Sequence, residues 1–119
     1  MAKPDIVERS FSYALRIIKL YRELEKDNIG RVLGRQLLRS GTSIGANIHE
    51  AQGGQSKADF IAKVSIAHKE ARETAYWLRL LQEAELIPAH RLTDLSEETE
   101  QLIKILSSIV LTAKQTLKK

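Results

Sequence analysis

Arg31, Arg35 and Arg39 recur every four residues, and Arg16, Lys19, Arg22 and Lys26 crowd the stretch just before them. The first chemistry such residues offer is neutralisation of phosphates. Residues 1–39 hold nine Lys/Arg against five Asp/Glu, whereas residues 40–119 hold ten of each, so the whole formal net charge of +4 sits in the first third. Glu8, Glu23 and Glu25 are interspersed among these cations, which keeps a simply solvated charged face as the alternative. A second set of polar residues lies further on. Ser40, Ser43 and Asn47 follow one another at steps of three and four beside an apolar face, with Arg39, Glu50 and Glu73 as plausible members of a shared network. Buried polar groups must be paired, so these six read as a structural network that fixes helix register rather than as a ligand site.

Other chemistries lack their residues. There is no cysteine, which removes disulfides, thiolate metal sites and thiol nucleophiles. Di-iron helical proteins place a glutamate three residues before a histidine, but Ala46, Ser65 and Ile87 stand three before His49, His68 and His90. Ser, His and Asp form no local nucleophile-and-base arrangement. Gly53-Gly54 precedes a helix as a phosphate cradle would, yet no Gly-Lys-Ser/Thr run follows, so it reads as a turn. The expectation is a protein that is not an enzyme and has no metal and no cofactor. Without an apolar run near ~20 residues or the apolar core of a signal peptide, the chain is expected in the cytoplasm with no membrane contact.

The elements that must position these residues are helices. Prolines stand only at positions 4 and 88, and β-branched runs of period two are missing. The spacing predicts one domain, 1–119, with helices over roughly 5–26, 29–52, 56–86 and 88–117. Short connectors join antiparallel neighbours, which makes an all-α, up-down-up-down four-helix bundle. On helix one, Ile6, Val7, Phe11, Ala14, Leu15, Ile18 and Tyr21 form the first apolar stripe. Tyr13, Ile17, Leu20 and Leu24 form a second, surplus to a simple surface helix. With Tyr76, Trp77 and Leu80 of helix three, that second stripe is the expected oligomer interface.

Leu33, Leu37, Ile44, Ile48 and Ala51 mark the core face of helix two. Gly53-Gly54 is expected to end it in left-handed geometry, and Ser56, with Asp59 three residues on, caps the next helix. Helix three carries a seam at Phe60, Val64, Ala67, Ala71, Thr74, Leu78 and Leu81, and helix four another at Leu92, Leu95, Thr99, Leu102, Leu106, Ile109 and Ala113. Early acids Asp94, Glu97, Glu98 and Glu100 and late bases Lys104, Lys114, Lys118 and Lys119 complement the dipole of helix four.

Arg39-Ser40, Ser43-Ile44, Asn47-Ile48 and Glu50, then Ser56, Phe60, Ile66-Ala67 and Glu73, together resemble the signature of the bacterial four-helix bundle proteins. These are also called the large-subunit ribosomal RNA intervening-sequence proteins. The resemblance spans nearly the whole chain and implies a left-handed antiparallel bundle assembled as a ring, a homopentamer, in proteins often encoded within insertions in ribosomal RNA genes. A similar bundle is the accessory variability protein of diversity-generating retroelements, which pentamerises and binds nucleic acid and a reverse transcriptase. Where many members have Gly-Ser after Ile-Ala-x, this chain has Lys69-Glu70. The functional expectation is a non-enzymatic oligomeric scaffold that binds RNA or DNA through Arg16, Lys19, Arg22, Lys26, Arg31 and Arg35. The alternative is a ring that recruits an unidentified protein partner and binds no nucleic acid.

Overall fold

The computed structural model describes residues 3–118; Lys119 and the side chain of Lys118 lie outside the described residues. Four helices follow one another: α1 (Lys3–Leu24), α2 (Asn28–Gln52), α3 (Lys57–Glu83) and α4 (Ala89–Lys118). Among the described residues there is no strand. The molecule measures 51 × 22 × 22 Å, its long axis set by helices of 22 to 30 residues.

Local chemistry sets the ends. Lys26 and Asp27 donate backbone bonds to Glu23 and Leu24, tightening the end of α1. Asp27, extended at φ −110°, then accepts the Gly30 amide on its carboxylate at 2.8 Å and starts α2. Ser56 caps α3 in the same way by accepting from the Asp59 amide at 3.0 Å. The left-handed turn falls elsewhere than expected. Gly53 has φ −99° and no glycine has positive φ among the described residues; the left-handed residue is Glu85, at φ 59°. There α3 ends short of residue 86, because Leu86 donates back to the Leu81 carbonyl at 3.0 Å and Ile87 turns into the core.

Buried seams run along all four helices. Val64, Ala67, Ala71, Thr74, Leu78 and Leu81 of α3 face Leu92, Leu95, Thr99, Leu102, Leu106 and Ala113 of α4, with Leu37, Ile44, Ile48 and Ala51 from α2. On α1 the two stripes exchange roles. Tyr13, Ile17, Leu20 and Leu24, expected at an oligomer interface, are buried in the core, with Tyr13 and Ile17 at 1% and 0% exposure. Phe11, Leu15 and Ile18 of the first stripe are exposed. The reason is the neighbouring face of α2. Gly41 is so close to Ile17 that a Cβ there would stand 2.8 Å from its Cγ1, and one at Gly34 would stand 2.9 Å from Tyr21. Only the side of α1 carrying Ile17 and Tyr21 fits against those glycines.

Helices consecutive in the chain pack extensively, α1 touches α4 more sparingly, and the diagonal pairs do not meet. Along α1–α2 and α2–α3 the residue numbers run oppositely: Ser10 meets Gly45 and Tyr21 meets Gly34, while Arg39 meets Glu70 and Lys63 meets Glu50. Two buried hydroxyl pairs pin the register. Thr99 Oγ1 lies 2.7 Å from the Leu95 carbonyl, to which it donates, so the Tyr13 hydroxyl, 2.5 Å from Thr99, is the donor of that bond. Ser40 and Thr74 share a hydrogen bond of 2.8 Å between α2 and α3. Burial raises the Tyr13 phenol well above its ordinary range, so it stays a neutral donor.

Leu106→Ala, at a fully buried position, is expected to cost ~2–5 kcal/mol in urea denaturation. Gly41→Ala is expected to destabilise as well, since overpacking against Ile17 at ~1–3 kcal/mol outweighs ~1 kcal/mol of helix propensity. A stabilised Gly41→Ala protein would refute the close α1–α2 approach.

Candidate nucleic-acid interface

With Ile17, Leu20 and Leu24 turned inward, Arg16, Lys19 and Arg22 point outward on α1, and Lys26 is exposed in the connector. Arg35 is exposed and Arg31 half-buried on α2, each one residue past a glycine that faces α1. None of the six forms an ion pair among the described residues; Arg31 Nη2 donates to Asn28 Oδ1 at 3.0 Å. They do not all share one groove. Arg16 and Lys19 line a depression of about 230 Å³ between α1 and α4 with Leu20, Glu23, Arg91, Leu92 and Leu95. Arg31 and Arg35 lie on the α2 side of the molecule.

Arg91 joins the first group only through the fold. Its guanidinium donates to Glu23 at 2.5 Å and holds that carboxyl below the usual range, with Lys26 and Lys19 adding to the effect. Nothing in the local sequence around Arg91 could have announced this, because the two residues are 68 apart.

By helical spacing, Arg22 continues the exposed α1 line of Phe11, Leu15 and Ile18, and Arg35 continues an α2 line through Leu38, Thr42, Ala46 and His49. Phe11, Ala14, Leu15 and Ile18 form, with Thr42, Gly45 and Ala46, an apolar groove of about 550 Å³ between α1 and α2. Phe11 and Leu15 are 63% and 53% exposed. The stripe expected at an interface, Tyr13, Ile17, Leu20 and Leu24, is buried and does not line this groove. Of the helix-three candidates, Tyr76 is exposed, whereas Trp77 and Leu80 are half-buried.

The expected polar network resolves into separate parts. Arg39 bridges Glu70, at 3.1 Å, and Glu73. Glu73 Oε2 also accepts from Trp77 Nε1 at 3.0 Å. Ser40 belongs to the buried pair with Thr74. Ser43 donates to the Arg39 carbonyl at 2.6 Å and Asn47 to the Ser43 carbonyl at 2.8 Å, both within α2. Glu50 sits apart, paired with Lys63 at 2.8 Å. The bond from Arg39, then the one from Trp77, lower the Glu73 pKa; the same bond raises that of Arg39. Among the described residues no group of three His, Asp or Glu could hold a metal ion, and no helix is long and apolar enough to cross a membrane.

Because the folded-state pKa of Glu73 is depressed, its stabilising contribution is complete above the unfolded value, about 4.3, and is lost as pH falls through the folded value. Glu73→Gln should therefore be less stable than wild type at neutral pH, by under about 1 kcal/mol for a pair this exposed, with the gap closing under acid. Urea midpoints of the two proteins across pH check this; a gap that persists unchanged in acid would refute it.

The chain matches the family described as 23S rRNA-intervening sequence protein over residues 2–108. It is also similar to a crystal structure of a protein of unknown function from the S23 ribosomal protein family of Bacteroides thetaiotaomicron VPI-5482. The identity is 45%, the TM-score 0.85, and the alignment covers 88% of this chain and 97% of that one. No curated protein matches the chain. A match across so much of a chain folded into these four helices places it: this protein belongs to the 23S rRNA-intervening sequence protein family.

Proposed function

We propose that this protein is a non-enzymatic scaffold of the cytoplasm: an up-down-up-down, left-handed antiparallel four-helix bundle that assembles into a ring of identical copies and binds RNA or DNA. Five copies per ring is the number the family resemblance implies. The observation that carries the nucleic-acid reading is the set Arg16, Lys19, Arg22, Lys26, Arg31 and Arg35, none of which forms an ion pair among the described residues. Cations left free by the fold are the ones that can exchange their solvent ions for phosphates. By contrast, Arg39, Lys63 and Arg91 are occupied by glutamates.

Assembly matters to this reading. A modest cationic cluster on one copy binds weakly, but several clusters spanned by one strand add through effective concentration. The apolar groove around Phe11, Leu15 and Ile18 supports self-association, since exposed apolar area of this kind marks contact surfaces. The same groove favours the second reading, a ring that recruits a protein partner without nucleic acid.

Binding should be largely to phosphates, with log affinity falling against log salt by ~0.7–0.9 per phosphate neutralised. Replacing Arg31 and Arg35 together by Gln should weaken duplex and structured-RNA binding and flatten that slope, with circular dichroism unchanged. Absence of any wild-type binding at ~50 mM salt would leave the protein-adaptor reading. Light scattering should give a multiple of the monomer mass for wild type and monomer mass for Leu15→Glu; a monomeric wild type refutes the ring.

A further inference from the structure

A second groove, about 400 Å³, runs between α3 and α4 and is lined by Arg72, Tyr76, Arg79 and Gln82 on one wall and Ser96 and Glu100 on the other. Since the diagonal helices do not meet, this groove lies on the opposite side of the molecule from the α1–α2 face. Its α3 wall repeats one pattern: cation, aromatic ring, cation, at steps of four and three. At about 100° per residue the three side chains fall within an arc of about 60°, and the two arginines are about 10 Å apart along the axis with Tyr76 between them.

Three features distinguish this wall from an ordinary solvated face. Arg72 and Arg79 form no ion pair among the described residues, although Glu100 shares the groove. Tyr76 is 58% exposed, an unusual place for a large aromatic ring. Its position is also held from beneath. Arg39 of α2 grips Glu73, Glu73 accepts the Trp77 indole N–H at 3.0 Å, and the Trp77 ring meets Tyr76 edge to face at 5.0 Å and 73°. A ring fixed in this way loses little conformational freedom when something stacks on it.

We propose that this groove is a binding site for single-stranded nucleic acid, in which a base stacks on Tyr76 and the flanking phosphates are held by Arg72 and Arg79. A ring set between two free guanidinium groups is what an unpaired base with its phosphates fits, because stacking requires only a π face and the charges track the backbone. Ser96 and Glu100 on the α4 wall supply acceptors for the amino group of the stacked base and turn the phosphates towards α3. A duplex hides its base faces and gains nothing from Tyr76. The site is separate from the α1–α2 phosphate face, and either can fail without the other.

The test uses the full chain with an adenosine oligomer of about 12 nucleotides and the duplex of equal length. Trp77, the one tryptophan of the chain, reports on Tyr76 through their ring contact in the proteins that keep that ring, and anisotropy of an end-labelled oligomer reads affinity in every variant. The single strand should quench Trp77 emission in wild type and in an Arg31→Gln, Arg35→Gln protein alike. Tyr76→Ala should weaken single-strand binding about 5- to 100-fold, while Tyr76→Phe, which keeps the ring, stays within about twofold of wild type. Arg72→Gln with Arg79→Gln should lower affinity and flatten the salt slope by about 1.4. Far-UV circular dichroism should be unchanged in the Tyr76, Arg72 and Arg79 variants, as these side chains are exposed.

The proposal is overturned by any of three results. The single strand fails to bind or to quench Trp77 at ~50 mM salt; Tyr76→Ala binds like wild type; or poly-glutamate matches the oligomer's affinity, which would make the groove an acidic-protein site instead. Loss of duplex binding in the Arg31→Gln, Arg35→Gln protein alone bears on the α1–α2 face and leaves this site standing.

Discussion

Backbone approach at the α1–α2 contact governs the arrangement of everything else. Gly30, Gly34, Gly41 and Gly45 follow one another at steps of four, seven and four, and each faces α1 or its end: the Leu24 carbonyl, Tyr21, Ile17 and Ser10. A side chain at any of these positions would push α1 away or force it to roll. With the glycines in place, α1 is seated with Tyr13, Ile17, Leu20 and Leu24 inward, and Phe11, Leu15 and Ile18 are left outside. The exposed apolar groove and the outward arginines of α1 are therefore both consequences of small residues on α2.

The contact between α1 and α4 is the least extensive of the four, yet it carries a disproportionate share of directional bonds. Arg9 reaches Glu98 with two nitrogens, at 3.0 and 2.7 Å, and Gln101 at 2.8 Å; Tyr13 bonds Thr99; and Arg91 bonds Glu23. Apolar contact tolerates sliding, whereas a buried hydroxyl that loses its partner pays the full desolvation cost. Polar register thus compensates for thin apolar packing where the first helix meets the last. Between α2 and α3 the same device recurs as Ser40–Thr74, and the surface pair Arg39–Glu73 extends it outward to Trp77 and Tyr76.

That extension joins two features distant in the sequence. The polar residues of α2 act chiefly as supports: some satisfy carbonyls of their own helix, and Arg39 sets the carboxylate that orients the indole. The free cations are distributed around the molecule, Arg16 and Lys19 towards α4, Arg31 and Arg35 on α2, Arg72 and Arg79 on α3. Each copy therefore presents cations without ion pairs on more than one side.

Helical periodicity was enough to read four helices and the seams of α3 and α4, and local motifs were enough for the Ser56 cap and the family resemblance, because each rests on one stretch of chain; the Asp27 cap on α2 emerged only in the structure. Periodicity could not decide between the two apolar stripes of α1, since both have helical spacing and only the partner surface chooses between them. The glycine steps on α2 held that information, but as a statement about a neighbour's distance, legible once the neighbour is known. The left-handed residue escaped for a similar reason: it falls on Glu85 and not on Gly53, where the demand comes from Leu86 and Ile87 reaching the core. Whether a charge is free or occupied was likewise decided by tertiary structure alone. Arg91 and Arg72 look alike in sequence, and what separates them is that α1 brings Glu23 to one and no element brings a carboxylate into an ion pair with the other among the described residues.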